Sequence, residues 1–240
     1  MTDYLVFQLY GPLAAWGEPA VGEVRHTNPI PGRSAILGLL AAALGIRREE
    51  EARLSELNGH YRIAVRQLRE SQWLRDYHTV QVPRENRKLR YATRRDELRL
   101  ASDELQTILS TREYRCDAYY LIAIELTEGA PHDLDQLRQA LQEPVFPLYL
   151  GRKSCPPGLP LAARCLQGEL AQVLKDAESI LYPLLQPREG WGMSCFWEGK
   201  AEIVGMQLQQ SIMRSDQPLS RKRWQFANRL QHQGRLVEEV

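Results

Sequence analysis

Residues 116–126 read Cys-Asp-Ala-Tyr-Tyr-Leu-Ile-Ala-Ile-Glu-Leu and form a strongly strand-like stretch of the chain. Aromatic and β-branched side chains favour a strand, and neither proline nor glycine interrupts the run. A second strand is predicted for Tyr4–Tyr10, which has the same character and ends at Gly11-Pro12. Apolar and polar residues alternate over Tyr61–Leu68, which predicts a third strand. The fold should therefore contain a sheet whose strands come from distant parts of the chain.

Two helices are also predicted. Ser34 has the character of an N-cap, and the apolar run 35–44 that follows it stops at Gly45. Because this helix is apolar on nearly all faces, we expect it to be buried. The amphipathic pattern of His132–Leu141 predicts the second helix, and Val145–Leu150 is predicted to be a short strand.

The predicted elements follow the order strand, helix, strand, strand, helix, strand, with the polar, Arg-rich segment Pro83–Leu100 inserted before the fourth element. This βαββαβ order is the one found in ferredoxin-like and RRM-like domains, so we predict an α+β fold. We expect residues 1–158 to form this domain and residues 159–240 to form a smaller, mainly β domain. Folds of this order often bind RNA, although a fold does not establish a function.

The composition is that of an ordinary globular protein, with 43% hydrophobic and 25% charged residues in a chain of 240. The longest apolar stretch, Ala35–Ile46, is shorter than the roughly 20 residues that span a bilayer. Residues 1–4 lack the features of a signal peptide, so we expect no membrane contact and a cytoplasmic location.

The cysteines lack the spacing of a zinc site, and we expect mostly buried, reduced thiols. They are Cys116, Cys155, Cys165 and Cys195. Residues 151–154, Gly-Arg-Lys-Ser, end like a phosphate-binding loop, but Phe146 stands where such a loop needs its leading glycine. No complete nucleotide-binding loop is therefore present. The sequence therefore predicts neither a metal nor a cofactor.

The net charge of +1 does not by itself indicate a nucleic-acid-binding protein, but the basic residues are unusual. Of the 31, 26 are arginines, whose planar guanidinium groups suit phosphates and base edges. Between Arg62 and Arg99 there are 11 basic residues and 5 acidic ones. This asymmetry is compatible with an RNA-binding surface and equally with a solvated Arg-rich surface.

The densest polar cluster is Asp76-Tyr77-His78-Thr79. His78 and Tyr77 are candidates for general acid–base cleavage of RNA, which would activate a 2′-hydroxyl group. They are also candidates for stacking and hydrogen bonding to RNA. The third interpretation is a strand whose polar groups satisfy one another.

Three further segments carry candidate binding residues. Trp16 lies between two glycines that could bring backbone close to a ligand, or it packs in a core turn. Arg33 begins a helix, where free N–H groups favour anions, unless it is a plain surface arginine. Arg112 and Tyr114 share one face of a strand, a pairing that suits bases and phosphates.

The adjacent cations Arg152 and Lys153 follow the predicted strand Val145–Leu150. They are typical of a phosphate-contacting loop and equally of a solvated turn. The tryptophans of the last third, Trp191, Trp197 and Trp224, are expected to pack in cores or against partner surfaces.

Several of these segments, in this order, resemble the CasD family, the subunit that binds the crRNA 5′ handle in the type I-E CRISPR Cascade complex. The matching segments are 11–17, 33–40, 74–80, 112–118 and 149–156, with a fainter match at 223–229. Each motif alone is weak, but five in register are specific. The match is strong over residues 4–160 and poor after Leu166.

The resemblance implies an RRM-like palm with an inserted β-hairpin thumb, here at about residues 76–114. Thumb and palm would together hold the 5′ handle of the crRNA. The family resemblance also implies that the chain caps the Cascade backbone filament, contacts the large subunit and indirectly supports recognition of target DNA in antiviral defence.

From the Arg-rich arm and the five motifs together we predict roles for individual residues. Arg112 would stack on or separate handle bases. The remaining predicted RNA-binding residues are Arg33, Arg152 and Lys153 for phosphates, Tyr77, His78 and Tyr114 for bases or ribose, and Trp16 beside them.

A sister subfamily, from type I-C systems, cuts precursor crRNA with tyrosine, lysine and histidine. Tyr77 and His78 are present here, but no Lys-His pair is. Type I-E systems also assign this cut to a separate endonuclease. We therefore expect a non-catalytic protein, with a metal-independent endoribonuclease as the alternative.

Overall fold

A computed structural model of the chain describes residues 1–18, 20, 22–85, 90–185 and 194–237. Its strands form one nine-stranded sheet in which the main order is β6-β1-β5-β3-β7-β9-β8. The strands are β1 Thr2–Ala14, β2 Val24–Arg25, β3 Tyr61–Arg69, β4 Gln72–Pro83, β5 Leu105–Leu126, β6 Arg164–Gly168, β7 Ser194–Trp197, β8 Met206–Ser220 and β9 Gln225–Leu236. The α-helices are α1 Arg33–Ala43, α2 Glu51–Gly59, α3 Arg94–Glu97, α4 Leu134–Gln142 and α5 Leu170–Asp176, with 3-10 turns at Ser102–Glu104, Ala177–Ile180 and Pro183–Leu185.

The centre of the sheet is β5, which pairs antiparallel with β1 on one edge and with β3 on the other. Successive side chains of β5 point to opposite faces, and over residues 118–124 both faces are buried. Ile122 belongs to a core cluster that includes α1 and α4, whereas Leu121 belongs to a second cluster that includes α5. This two-sided burial explains why the strand reads as a nearly continuous apolar run.

The three predicted strands lie within β1, β3 and β5, and both predicted helices are present, which confirms a mixed α/β fold with a large antiparallel sheet. The N-cap of α1 is Gly32 and not Ser34, and the helix ends before Gly45, whose φ is +71°. The strand predicted at Val145–Leu150 is wrong. The amides of Val145 and Phe146 donate to carbonyl oxygens of Ala43 and Ala42, so this segment closes the end of α1.

The strand that pairs with the outer edge of β1 is β6, which begins 14 residues after Leu150, the end of the wrongly predicted strand. The division predicted after residue 158 does not coincide with a break in the sheet. β6 pairs with β1 and β7 pairs with β3, so strands from both sides of residue 158 share one sheet.

β4 and the first half of β5 form a long two-stranded arm, which we call the β4–β5 arm. Its ladder runs without a register shift from the pair Gln72↔Cys116 to the pair Pro83↔Leu105. Most side chains on both faces are exposed, so the arm extends beyond the packed layers. It occupies about the range in which the inserted hairpin was expected, although residues 86–89 lie outside the described part of the chain.

In the described part of the chain, no helix is long and apolar enough to cross a membrane. The same residues contain no cluster of three or more His, Cys, Asp or Glu side chains that could hold a metal ion. Cys155 and Cys195 are buried as expected, whereas Cys116 is half-buried and Cys165 is exposed. Trp197 is buried in the second core cluster, Trp224 is half exposed, and Trp191 lies outside the described residues.

A buried network of four charged side chains joins the start of α1 to the last hairpin. Arg33 Nη1 lies 2.5 Å from Glu198 Oε2, and Arg229 Nη1 lies 3.2 Å from Glu198 Oε1. Arg229 also donates to Asp216 over 2.6 and 2.9 Å. The Arg33 backbone N–H donates to Asp216 Oδ2 over 2.8 Å, so Arg33 contacts both carboxylates of the network.

These charges are removed from water, and their pairing compensates for the cost. Burial raises the pKa of the Glu198 carboxyl, while the guanidinium groups of Arg33 and Arg229 act to lower it. Burial likewise lowers the pKa of Arg33, and Glu198 opposes that change. The network fixes the β8–β9 hairpin against the first turn of α1.

The variant Glu198→Gln tests this network. It keeps the shape of the side chain but removes the carboxylate that pairs with the Arg33 guanidinium and one of the two that pair with Arg229, so the free energy of unfolding should fall by about 3 kcal/mol. Urea unfolding of Glu198→Gln and of the control Glu56→Gln, an exposed carboxylate on α2, measures the difference. An unfolding midpoint equal to that of the control would show that the network does not stabilise the fold.

Candidate nucleic-acid interface

The two faces of the β4–β5 arm carry different residues. Because paired residues of an antiparallel ladder share a face, Arg112 lies on the same face as Asp76, and Tyr114 on the same face as Leu74. His78 is two residues from Asp76 and shares that face. We call it the Arg112 face. It continues along β5 into the residues that pack under α1, such as Tyr120 and Ile122.

Arg112 is exposed and has no side-chain partner among the described residues. Its strand neighbour on β2 is Arg25, so two arginines are paired at the base of the arm. Asp76 lies directly opposite Arg112, but its carboxylate is bonded to Nε2 of His78. Arg112 therefore presents an uncompensated planar cation on an open surface.

Tyr77 and His78 point to opposite faces of the arm. Tyr77 is opposite Thr111 in the ladder and its side chain is 61% exposed on the face away from Arg112. His78 is half-buried beside Asp76. The structure therefore brings His78 together with Arg112 but does not bring Tyr77 and His78 to one point, as joint acid–base catalysis would require.

Arg152 holds the base of the arm to the rest of the protein. Its guanidinium carbon lies 4.8 Å from the ring centroid of buried Tyr114, and Nη1 donates to the Glu113 carbonyl over 2.8 Å. Nη2 donates to the carbonyl of Arg25 over 3.0 Å. These partners are neutral, so the positive charge of Arg152 is not neutralised. The neighbouring Lys153 is exposed, and no described residue is paired with its side chain.

Glu113 anchors the opposite face of the arm base. His26 Nδ1 lies 3.2 Å from Oε2, Arg75 donates to Oε1 over 3.3 Å, and the Thr27 amide donates to Oε2 over 3.3 Å. Burial acts to raise the pKa of Glu113, but bonds from His26, Trp73, Arg75 and the Thr27 amide hold it below the usual range. The arm is thus attached to the segment that carries Arg25.

Two of the predicted RNA-binding residues lie in the interior. The Trp16 indole is buried and packs edge-on against Tyr120, with ring centroids 5.8 Å apart. Arg33 is buried in the ion network, and its guanidinium also donates to the carbonyls of Tyr61 and Asn58. The anion site expected at the start of α1 is therefore filled from within by Asp216. Both side chains are therefore engaged inside the fold, in contacts that the sequence-based prediction of a binding role did not include.

A groove with a volume of about 880 Å³ lies beside the base of the arm. We call it the α1 groove, because small residues of α1, among them Ala35, Gly38 and Ala42, form its floor. Its other walls are residues 146–153 and the turn between β8 and β9. Arg25, Arg152 and Lys153 line it, so the groove continues the positive surface that begins at Arg112.

Four groove residues had no place in the sequence prediction of an RNA site. They are Arg47, Arg48 and Arg221, together with Trp224, which had been assigned to packing. The adjacent arginines after Gly45 and the run Arg221-Lys222-Arg223-Trp224 are local signals that mark them. Only the tertiary structure shows that the two runs meet, since 173 residues separate Arg48 from the Arg221 carbonyl to which it donates over 3.2 Å.

Comparison with known proteins gives consistent results. A family model described as "CRISPR-associated protein (Cas_Cas5)" matches residues 4–230. The chain is 40% identical over 169 residues to "CRISPR system Cascade subunit CasD" of Escherichia coli (strain K12), a match that covers 67% of this chain and 70% of the relative.

Two solved structures share the fold. One is titled "CRISPR RNA-guided surveillance complex", with a TM-score of 0.65 and 23% identity, and covers 98% of this chain and 90% of that one. The other is titled "Crystal structure of Cas protein", with a TM-score of 0.64 and 27% identity over 97% of this chain and 94% of the other.

The turn that carries Arg152 and Lys153 depends on Gly151. Its φ is +85°, and a Cβ atom there would lie 1.8 Å from the carbonyl oxygen of Ala15. Gly151→Ala should therefore lower the free energy of unfolding by about 2 kcal/mol or more, which is about 4–8 °C in Tm. Differential scanning calorimetry measures the change.

Gly59→Ala is the matched control, because Gly59 ends α2 and nothing lies within 4 Å of a Cβ atom there. We expect the control to be neutral or stabilised by up to about 1 kcal/mol. Equal Tm values for the two variants would contradict the geometry assigned to the turn.

Proposed function

The chain belongs to the Cas5 family of CRISPR-associated proteins, and from this we propose that it is a Cascade subunit that binds the 5′ handle of crRNA. The family match and the likeness to CasD support membership of such a complex. The observation that carries the RNA-binding assignment is Arg112, an unpaired guanidinium beside Arg25 on a surface that continues into a cationic groove. Guanidinium groups that lack a carboxylate are suited to phosphates and stacked bases.

The β4–β5 arm acts as the thumb and the layered sheet with α1 acts as the palm of an RRM-like domain. On the Arg112 face, Arg112 stacks on or separates handle bases, and His78 contacts base or ribose. Lys153 and Arg152 attract phosphates at the base of the arm, where Tyr114 supports Arg152 from below. Tyr77, on the other face, contacts a different part of the RNA strand, which passes around the arm.

The proposed partners follow from the same family. We infer that the chain caps one end of the Cascade backbone filament, contacts the large subunit and thereby supports RNA-guided recognition of target DNA. Within the chain, residues 1–158 supply the arm and the palm, and residues 159–240 supply the β8–β9 hairpin that forms one wall of the α1 groove.

The proposed role is non-catalytic. Two observations support it: Tyr77 and His78 lie on opposite faces of the arm, and the relative in Escherichia coli is described as a subunit of a complex.

The variant Arg112→Ala tests the binding assignment. Loss of one stacked or separated base should weaken binding of handle RNA by about 1–3 kcal/mol. A filter-binding titration at fixed salt measures the affinity, since phosphate contacts make it salt-dependent. Arg164→Ala, which removes the same charge from an exposed position on β6, should bind like the unmodified protein. Equal affinities of the two variants would remove Arg112 from the interface.

Incubation of the purified chain with CRISPR repeat RNA, without divalent metal, tests the non-catalytic role. We expect the RNA to remain intact on a denaturing gel, because Tyr77 and His78 point to opposite faces of the arm. Cleavage that His78→Ala abolishes and Arg164→Ala does not would instead identify a metal-independent endoribonuclease.

A further inference from the structure

The α1 groove carries more positive charge than the chain itself neutralises. Six cationic side chains line it, against the carboxylates of Glu18 and Glu49; the cations are Arg25, Arg47, Arg48, Arg152, Lys153 and Arg221. No salt bridge in the described part of the chain joins any of the six to a carboxylate, and Glu18 is itself turned to Arg214 at 3.7 Å. The groove is therefore suited to an anionic ligand.

Trp224 stands at the far side of this groove, on the turn between β8 and β9. Its φ is +57°, a conformation that a bulky residue adopts only where the surroundings impose it. The indole is nevertheless 50% exposed, and it packs edge-on against Phe226 at 5.6 Å. The backbone thus holds a large aromatic ring half out of the protein, facing the groove.

Two arginines flank this ring without a counter-ion. The guanidinium carbon of Arg48 lies 4.7 Å from the Trp224 ring centroid and that of Arg221 lies 5.9 Å away. Burial lowers the pKa of Arg221, and the positive charge of Arg48 lowers it further. Arg221 Nη2 donates to the Ser34 carbonyl over 2.6 Å, which fixes it at the edge of the groove. An anion placed between these two cations would relieve their repulsion.

We propose that the α1 groove binds one nucleotide of the guide RNA beyond those at the arm, with its base stacked on Trp224 and its phosphate near Arg48 and Arg221. This rests on the proposed function, since it extends the same RNA strand from Arg112 past Lys153. Single-stranded nucleic-acid sites combine a cationic groove with an aromatic ring in this way. The volume of about 880 Å³ is within the range of roughly 300–1,000 Å³ typical of small-ligand sites.

Nucleic acid is favoured over a protein partner by the charge. A peptide that filled the groove would need several acidic residues to neutralise these cations, whereas each RNA nucleotide supplies a phosphate and a flat ring together. The Trp224 site differs from the Arg112 contact in using an aromatic ring as its platform, so the two contacts can be removed separately.

The test uses the full chain and handle RNA oligonucleotides that carry 2-aminopurine at each position in turn. With the unmodified protein, one position outside those affected by Arg112→Ala should lose fluorescence on binding, because stacking on Trp224 quenches it. Trp224→Leu should restore that fluorescence and weaken affinity about 5- to 150-fold. Trp224→Phe should keep most of both, since it retains a ring.

Tyr182→Leu is the matched control. Tyr182 is an exposed aromatic residue whose amide bonds to Tyr119 in the second core cluster, on the sheet face away from α1. It should leave affinity and quenching unchanged. Calorimetric unfolding of both Trp224 variants separates a binding effect from a folding effect.

The outcomes distinguish this inference from the proposed function. If RNA binding needs Arg112 but Trp224→Leu changes neither affinity nor quenching, the Trp224 site is wrong and handle binding stands. If Trp224→Leu instead weakens only association with another protein subunit, the groove is a protein interface and the inference is overturned. If the unmodified chain does not bind handle RNA at all, the proposed function fails and the Trp224 site with it.

Discussion

The buried pairing of Arg33 and Arg229 with Glu198 and Asp216 is the constraint on which the rest of the architecture depends. The N–H groups in the first turn of α1 have no partner within the helix, and the Asp216 carboxylate from β8 accepts a hydrogen bond from one of them, the Arg33 amide. Because Arg229 grips the same carboxylate from β9, both strands of the last hairpin are fixed to this helix. The helix and the turn of the hairpin form two walls of the α1 groove. The groove therefore depends on the ion pairs that hold the hairpin against the helix.

Strand alternation then decides what each part of the arm can do. A period of two places His78 with Arg112 and turns Tyr77 away, although the two residues are neighbours in sequence. The same period continues Arg112 and Tyr114 into the face of β5 that packs under α1. Arg112 and the cations of the groove consequently lie on one side of the sheet. Tyr77 and His78, which resemble a catalytic pair, point to opposite faces of the arm.

The sequence was informative where local pattern determines structure. The apolar runs of β1, β3 and β5 and the helices α1 and α4 were predicted, because strands and helices of this kind follow from periodicity. Val145–Leu150 was assigned as a strand because its apolar residues suit one, but two of its amides close the end of α1. The carbonyl groups that accept these bonds lie about 100 residues earlier in the chain, so the local sequence around Val145 does not indicate them.

The candidate site divides in the same way. Arg112, His78, Arg152 and Lys153 were identified from local motifs, and they do lie near one another. Arg33 and Trp16 were placed in the interface because their motifs suit it, yet their partners are distant: Asp216 is 183 residues from Arg33, and Tyr120 is more than 100 from Trp16. The meeting of Arg48 with Arg221 and Trp224 could not be read from sequence for the same reason.

The long sequence separation within the ion network has a consequence for the order of folding. During synthesis α1 emerges early, but its first turn and Arg33 stay incompletely paired until β8 and β9 leave the ribosome. Contacts of such separation also make folding slow, since a long loop must close before they form. We expect α1 to dock early on β1 and β5 through its apolar residues, and the groove wall to be the last surface assembled. A partly made chain could thus contain a folded sheet and still be unable to hold its RNA.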